Sequence, residues 1–322
     1  MEKILNAEGK ENTSKARIKE FNSREKEKRI FYICCIVFPV LQFLIFYVYV
    51  NFQSILLAFQ NYQISGGRIK VSFVGFRNFA SAWNFFVENI AWLKNSLLNF
   101  SFTSALGLVL ALIFSFYIYK KFPAAGFFKV VLFIPKIIPG IVFAMLFKFI
   151  ISYAYPEAVE ILTGKVVQDL FNNSDTEFGT IIFFNVWISF GVNVMLLSGS
   201  MNNINNSVVE SAQLDGVNIF QEFWHITIPM IFPTLTTFII VAITGIFTHQ
   251  MGLFSLYGGN GKHVGTWGYY MYLASKNSDV YTTRDYLPFT ELAALGLIFT
   301  AILFPTVLFI RKMLVKYGPS VD

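Results

Sequence analysis

The sequence predicts an all-α, polytopic membrane protein with six transmembrane helices. Its composition is 55% hydrophobic and only 14% charged, whereas a soluble domain carries about 25% charged residues. Apolar runs close to the roughly 20 residues that cross a bilayer as a helix recur along the chain. These runs are continuous, whereas the strands of a transmembrane barrel alternate apolar and polar residues. Since lipid offers no partner to free backbone groups, helices are the expected spanning structure.

The elements follow from these apolar runs in chain order. Residues 1–29 are polar and charged and form a predicted tail, and the first run is too long for a cleaved signal peptide. A six-span domain is predicted over 30–317, with a short tail at 318–322. A polar stretch at 201–228, called the insert below, separates the fourth and fifth spans. The predicted spans are 30–52, 94–119, 127–150, 178–200, 229–251 and 288–310.

The distribution of Lys and Arg predicts the orientation of the chain. Six spans place both ends on one side of the membrane. The tails and loops on that side carry 15 of the 25 Lys and Arg residues, the loops on the other side carry eight, and two lie inside the third span. The positive-inside rule therefore places both termini and the insert in the cytoplasm.

The first half of the insert predicts a short helix. The insert has three acidic residues but no Lys or Arg. Ser207 and Glu210 have the spacing of a capping box, which predicts a helix that begins at Val208. Gly216 suits the left-handed residue that ends such a helix.

The second half of the insert predicts another short helix. Asn218 and Gln221 repeat the capping pattern, and Pro229 fits the first turn of the fifth span. Two interpretations remain open for the pair of helices. They could rest among lipid headgroups, although such helices usually carry Lys or Arg on their polar face. Alternatively, they could dock into a groove of a soluble partner.

A longer pattern favours docking. The segment from Glu210 to Pro233 reads E-S-A-Q-L-D-G-V-N-I-F-Q-E-F-W-H-I-T-I-P-M-I-F-P. It resembles the EAA loop of the permease subunits of ATP-binding cassette (ABC) importers, in the oligosaccharide-type branch, with Ser211 in place of the usual alanine. The stretch "LKNSLLNF", the proline-bearing third span and the glycine-rich last external loop also resemble that family. The resemblance extends over most of residues 30–317.

The resemblance implies the type I ABC importer permease fold in a bacterial cell membrane. In that family the loop is a coupling helix, which sits in a cleft of a cytoplasmic ATPase. The implied partners are a second homologous permease subunit, two ATPase subunits and an extracellular solute-binding protein. ATP and Mg would be used by the ATPases, and this chain would bind no cofactor. The residues implied to dock are Glu210, Ser211, Ala212, Leu214, Asp215, Gly216 and Phe220.

Motifs for bond chemistry are absent from the sequence. A P-loop needs G-x-x-x-x-G-K-(S/T), but "GGNGKH" has Leu256 where the first glycine would stand and ends in His263. The adjacent Cys34 and Cys35 lack the spacing of a metal site. We therefore expect no catalytic residue, no metal site, no nucleic-acid partner and no enzymatic activity in this chain.

Polar groups inside the spans are candidates for a substrate path, because they are costly in lipid. Lys136 in the third span is flanked by Pro135 and Pro139, which interrupt the helix. A lysine there can equally snorkel to an interface. Asn and Gln suit sugar hydroxyls and aromatic rings suit the apolar faces of sugars, but such residues also bond neighbouring helices. The other candidates are Asn185, Trp187, Asn193, His249 and Gln250.

The predicted function is that of a permease subunit of an ATP-driven ABC importer. It would take up an oligosaccharide or related sugar from an extracellular binding protein by alternating access. A non-sugar solute such as a glycerol phosphate ester is the alternative within this class, and Lys136 favours it. An ion-coupled secondary transporter would need intramembrane acids or broken helices in repeated halves, and Glu291 is the only acid near the core of a span.

Overall fold

The computed structural model describes residues 25–65, 68–277 and 286–319. Most of the predicted tail at 1–29 and the end of the tail at 318–322 lie outside these described residues. In chain order the elements are α1 (Glu25–Leu57), β1 (Gln60–Ser65), β2 (Arg68–Phe73), α2 (Arg77–Glu88), α3 (Ala91–Tyr119), α4 (Ala125–Ile137), α5 (Gly140–Thr163), α6 (Ser174–Asn202), α7 (Asn206–Leu214), α8 (Ile219–Thr244), α9 (Leu253–Tyr257), α10 (Trp267–Asn277) and α11 (Phe289–Tyr317).

Six of these helices are long and apolar enough to cross a membrane, and they are α1, α3, α5, α6, α8 and α11. The prediction of an all-α protein with six spans is therefore confirmed. One antiparallel hairpin, in which Gln60 pairs with Phe73 and Ser65 with Arg68, is the exception to the helical architecture of the described residues. Because each span reverses the direction of the chain, the insert lies at the same end of the bundle as the start of α1 and the end of α11.

The third predicted span, 127–150, is not one helix. Ile138 and Pro139 have extended backbones, so α4 ends before them and α5 begins after them. Proline has no N–H for the helix ladder, and it disfavours the helical conformation of the residue before it. The helix that spans is α5, which runs to Thr163, beyond the predicted end of this span.

The centre of the bundle is α6, which is the most buried of the six spanning helices. It packs along α3 and α4. Gly191 lets α4 approach closely, because a Cβ at this position would collide with the backbone carbonyl of Leu132. Between α3 and α6, the hydroxyl of Ser115 on α3 donates a hydrogen bond of 3.0 Å to the carbonyl of Val194 on α6. Small and hydroxyl-bearing residues are the usual means by which membrane helices pack tightly.

The end of the bundle opposite the insert is closed by α10. The backbone N–H of Trp267 donates to the Ser96 hydroxyl at 2.9 Å, and the Asn95 side chain donates to the carbonyl of Gly265 at 3.2 Å. The indole of Trp267 is fully buried and lies 5.3 Å from the ring of Trp92. These contacts fix α10 and the loop before it onto the first turns of α3.

The close approach at Gly191 gives a test of the packing. Gly191→Ala forces a methyl group against backbone, and overpacking of this kind costs about 1–3 kcal/mol. We expect a lower thermal unfolding midpoint in detergent, measured by fluorescence-detected size exclusion. Gly199→Ala on the same helix is the control, because no atom lies within 4 Å of its added Cβ. Equal midpoints for the two variants would contradict this packing of α4 on α6.

Candidate functional site

The first insert helix, α7, is capped by Asn205 and not by Ser207. The Asn205 side chain accepts a hydrogen bond of 3.0 Å from the backbone N–H of Ser207, and the helix begins two residues before the predicted Val208. The predicted capping box of Ser207 with Glu210 is therefore wrong. Asparagine caps a helix as well as serine does. A helix that begins at Asn206 also packs its apolar residues against the bundle.

The register of α7 places apolar residues on both sides of its cap. Ile204, just before the cap, and Val209, in the first turn, are both buried in one hydrophobic cluster with Leu197 and Met201 of α6. An apolar pair at these two positions is a hydrophobic staple, which fixes the angle at which the chain enters the helix. The insert is thereby held against the end of the bundle.

Gly216 ends α7 as predicted. Its φ is +80°, in the left-handed region that favours glycine. The N–H of Val217 donates to the carbonyl of Ala212 at 3.0 Å, and the N–H of Gly216 donates to that of Gln213 at 3.1 Å. These two bonds satisfy carbonyls that the end of the helix would otherwise leave free.

The second insert helix, unlike the first, has its predicted N-terminal cap, but it does not have its predicted end. Asn218 and Gln221 form the capping box, with side-chain-to-backbone hydrogen bonds of 2.9 Å in both directions. The helix then continues into the fifth span, so that both form the single helix α8. Pro229 lies inside this helix, two residues after a π-helical segment at Phe223–Thr227. A wide turn of this kind lets a helix accommodate a local irregularity without a break.

A buried ion pair joins the insert to the second span. Both carboxylate oxygens of Glu222 lie 2.8 Å from the Nζ atom of Lys120 at the end of α3. The side chain of Glu222 is only 3% exposed and that of Lys120 is 17% exposed. Beside the ion pair, the rings of Phe116 and Phe223 lie 4.8 Å apart. We call these four residues the clamp.

Sequence reasoning missed the clamp. From the sequence, Lys120 is only one of the basic residues that predict the orientation, and Glu222 is only one of the three acidic residues of the insert. The sequence did contain a signal that Glu222 is buried, because this residue lies next to Phe223 and one helical turn before Ile226. Its partner is 102 residues away in the sequence, so no local pattern could identify it.

Six of the seven predicted docking residues are exposed, and the exception is Ala212. Glu210, Ser211 and Asp215 are exposed, Leu214 is 90% exposed and Phe220 is 75% exposed. Ala212 is half-buried and lies on the side that meets the bundle, and Gly216 is exposed in the turn. Glu210 and Leu214 are four residues apart and therefore share a face of α7. The insert thus exposes two large apolar side chains and two carboxylates on a segment without Lys or Arg.

The predicted substrate-path residues are only partly brought together. Lys136 is exposed in the last turn of α4, directly before the interruption of the third span. His249 and Gln250 lie in the loop after α8. The His249 ring accepts a hydrogen bond from the N–H of Met251 at Nδ1 (3.1 Å), so the proton of the neutral ring is on Nε2, which is a donor.

On α6 the three candidates have different surroundings. Asn185 is buried and donates to the carbonyl of Ile181 in its own helix, at 2.9 Å. Trp187 is 37% exposed, and its ring lies 5.0 Å from that of Phe143 on α5. Asn193 is half-buried and lies about 12 Å along the helix from Asn185. Asn193 therefore lies about two helical turns from Asn185, towards the insert.

A further polar cluster lies at the end of α6 opposite the insert. The buried carboxylate of Glu177 accepts hydrogen bonds from the Tyr257 hydroxyl at 2.7 Å and from Nε2 of His263 at 2.8 Å. Burial and the hydrogen bond to Glu177 raise the pKa of Tyr257. This cluster fixes the glycine-rich loop to α6. His263 is the last residue of "GGNGKH", the stretch that resembles a P-loop but does not match one.

The clamp predicts a specific pattern of stability. Lys120→Met leaves Glu222 buried without a partner, which typically costs about 3–5 kcal/mol. The double variant Lys120→Met/Glu222→Met replaces the pair by apolar groups, and we expect it to unfold at a midpoint closer to that of the native chain. The measurement is a double-mutant cycle of unfolding midpoints. Additive effects of the two substitutions would mean that the pair is not coupled.

Comparisons with known proteins agree with this architecture. Residues 103–316 match the family described as "Binding-protein-dependent transport system inner membrane component". The arabinooligosaccharides transport system permease protein AraP of Bacillus subtilis is 26% identical over 211 residues, which are 64% of this chain and 65% of AraP. The multiple sugar-binding transport system permease protein MsmF of Streptococcus mutans is 23% identical over 70% of this chain and 77% of MsmF.

The fold is also that of a solved structure. A bacterial ABC transporter involved in the import of the acidic polysaccharide alginate has a chain that superposes with a TM-score of 0.70. The match covers 90% of this chain and 97% of that chain, at 20% sequence identity. The family match covers about two thirds of the chain and includes the second half of α3, the whole insert and the spans α5, α6, α8 and α11 almost to its end. The chain is a multi-pass membrane protein that belongs to the family of binding-protein-dependent transport system inner membrane components.

Proposed function

We propose that this chain is a permease subunit of an ATP-driven ABC importer, and that α7 is its coupling helix. The observation that carries the proposal is the exposure of Leu214 and Phe220 on a segment that is itself fixed to the bundle. Large apolar side chains that are exposed beside carboxylates are suited to a helix-in-groove contact with a partner. The absence of Lys and Arg from the insert disfavours attachment to anionic lipid.

The partners follow from this role. Two cytoplasmic ATPase subunits bind and hydrolyse ATP with Mg, one of them receiving α7. A second homologous permease subunit completes the path, and an extracellular solute-binding protein delivers the solute. This chain binds no cofactor, performs no bond chemistry and lies in the bacterial cell membrane with both termini in the cytoplasm, as the excess of Lys and Arg at that end supports.

The clamp supplies a mechanism for transmission. A displacement of α7 by the ATPases passes through the turn at Gly216 to Asn218 and the first turn of α8. Because Glu222 is fixed to Lys120 and Val209 packs on α6, we expect α3, α6 and α8 to move with the insert as one body. Movement of this body relative to the second permease subunit would open the path to alternate sides of the membrane.

The solute is proposed to be an oligosaccharide or a related sugar. AraP and MsmF are named for arabinooligosaccharides and multiple sugars. Trp187 offers an aromatic face and His249 a hydrogen-bond donor, both of which suit sugars. A solute that carries an anionic group is the second candidate, because Lys136 is exposed and has no ion-pair partner among the described residues. An ion-coupled mechanism is disfavoured by membership of a binding-protein-dependent family.

The docking surface gives a test of the proposed function. Glu210 does not cap α7, so its charge can be changed without loss of the cap. A buried charged contact that loses a partner costs roughly 2–5 kcal/mol. We expect co-purification of the ATPase subunits to fall slightly for Glu210→Gln and almost to vanish for Glu210→Lys, with equal amounts of the permease in the membrane.

Glu157→Lys is the matched control, because Glu157 is an exposed acid at the opposite end of the bundle. This variant should retain its ATPase subunits. Retention by Glu210→Lys would show that the contact is not electrostatic, and a joint substitution of Leu214 and Phe220 by Ser would then decide between docking through shape and no docking at all.

A further inference from the structure

The helix α2 has three distinct faces. One face is buried against the bundle. The other two are exposed and run side by side along the helix: an apolar stripe and a polar stripe. The apolar stripe is formed by Phe76, Trp83 and Val87, and the polar stripe by the residues that directly follow these, Arg77, Asn84 and Glu88.

The buried face fixes the rotation of α2. The Asn78 side chain donates hydrogen bonds of 2.9 Å to the carbonyls of Ala58 and Gln60. Ala82 and Phe86 are buried, and the ring of Phe86 lies 5.8 Å from that of Phe299 on α11. The two exposed stripes are therefore set by the fold and not by free rotation of a surface helix.

The apolar stripe is large and continuous. Phe76 is 74% exposed, Trp83 48% and Val87 51%. Phe73 at the end of β2, 77% exposed, and Ile90 just after α2, 51% exposed, extend it at both ends. Single exposed apolar residues are ordinary, but a contiguous row of this kind marks an interaction surface.

The position of α2 in the chain indicates what covers this row. The helix lies between the end of α1 at Leu57 and the start of α3 at Ala91, at the end of the bundle opposite the insert. It packs on the first part of α11, where the Ser81 side chain hydrogen-bonds the Glu291 carboxylate. The spanning surface of the bundle meets the aqueous phase here. Tryptophan is enriched at this depth, and helices that lie there have one apolar and one polar exposed side.

We propose that α2 lies in the membrane interface, with Phe76, Trp83 and Val87 among the lipids and Arg77, Asn84 and Glu88 in water. A protein partner that covered α2 would bury both stripes, yet charged residues are depleted from the cores of protein interfaces. The lipid contact would fix the depth of α2 and, through Asn78 and Phe86, that of the neighbouring ends of α1 and α11. This inference goes beyond the proposed function and does not depend on the identity of the solute.

Nitroxide labels on neighbouring residues test this placement. The free thiols Cys34 and Cys35 are first replaced by alanine. Single cysteines are then introduced at Trp83, Asn84, Val87 and Glu88, and the complete transporter is reconstituted in lipid nanodiscs. Power-saturation EPR measures collisions with oxygen, which concentrates in lipid, and with a water-soluble nickel chelate.

We expect the labels at Trp83 and Val87 to favour oxygen and those at Asn84 and Glu88 to favour the nickel chelate. A label at the buried Ala82 should be reached by neither. The proposal is overturned if all four exposed positions favour the chelate, which places α2 in water. It is equally overturned if Trp83 and Val87 are immobilised and reached by neither reagent, which indicates cover by a second subunit or a binding protein. Should the Trp83 variant fail to assemble, the pair Val87 and Glu88 decides alone.

Discussion

The ion pair between Lys120 and Glu222 is the contact on which the proposed coupling depends. Two charges that share a buried site are stable only as a pair, so the start of α8 cannot leave the end of α3 without a large energetic cost. The rings of Phe116 and Phe223 lie 4.8 Å apart beside the same contact. The insert is consequently attached to α3 at this contact, although its own helix α7 has only nine residues.

In the proposed mechanism, this attachment gives the exposed residues of the insert their significance. A short polar helix on a flexible loop would adapt to any movement of a partner and would transmit little of it. Here the staple of Ile204 and Val209 holds one end of α7, and the capping box at Asn218 connects the other end to α8. At the opposite end of the bundle, α2, α10 and the Glu177 cluster hold the loops. In the proposed mechanism, movement is directed to the spans, which adjoin the interruption at Pro139 and the loop at His249.

Local sequence patterns predicted much of this structure, and their failures share a cause. The six spans, the left-handed Gly216 and the capping box of Asn218 depend on residues a few positions apart, and all three predictions are confirmed. The sequence predicts Ser207 as the cap of α7, but the structure has Asn205 at this position. The packing of Ile204 and Val209 on α6, which a local pattern does not include, favours the Asn205 register. The continuity of α8 through Pro229 depends on the π-helical turn at Phe223–Thr227, which no sequence motif predicts. The clamp joins residues 102 positions apart, and only the fold brings them together.

The central claim is that the insert moves with α3 as one body, and a distance across the clamp tests it most directly. Nitroxide labels at Lys121 and Gln213, both exposed, would be measured by double electron–electron resonance in the reconstituted transporter, without nucleotide and with ATP trapped. The account predicts the same narrow distance distribution in both states for the native clamp, and a broader distribution in Glu222→Gln. A distribution that shifts with nucleotide in the native chain, or that is unaffected by Glu222→Gln, would contradict it.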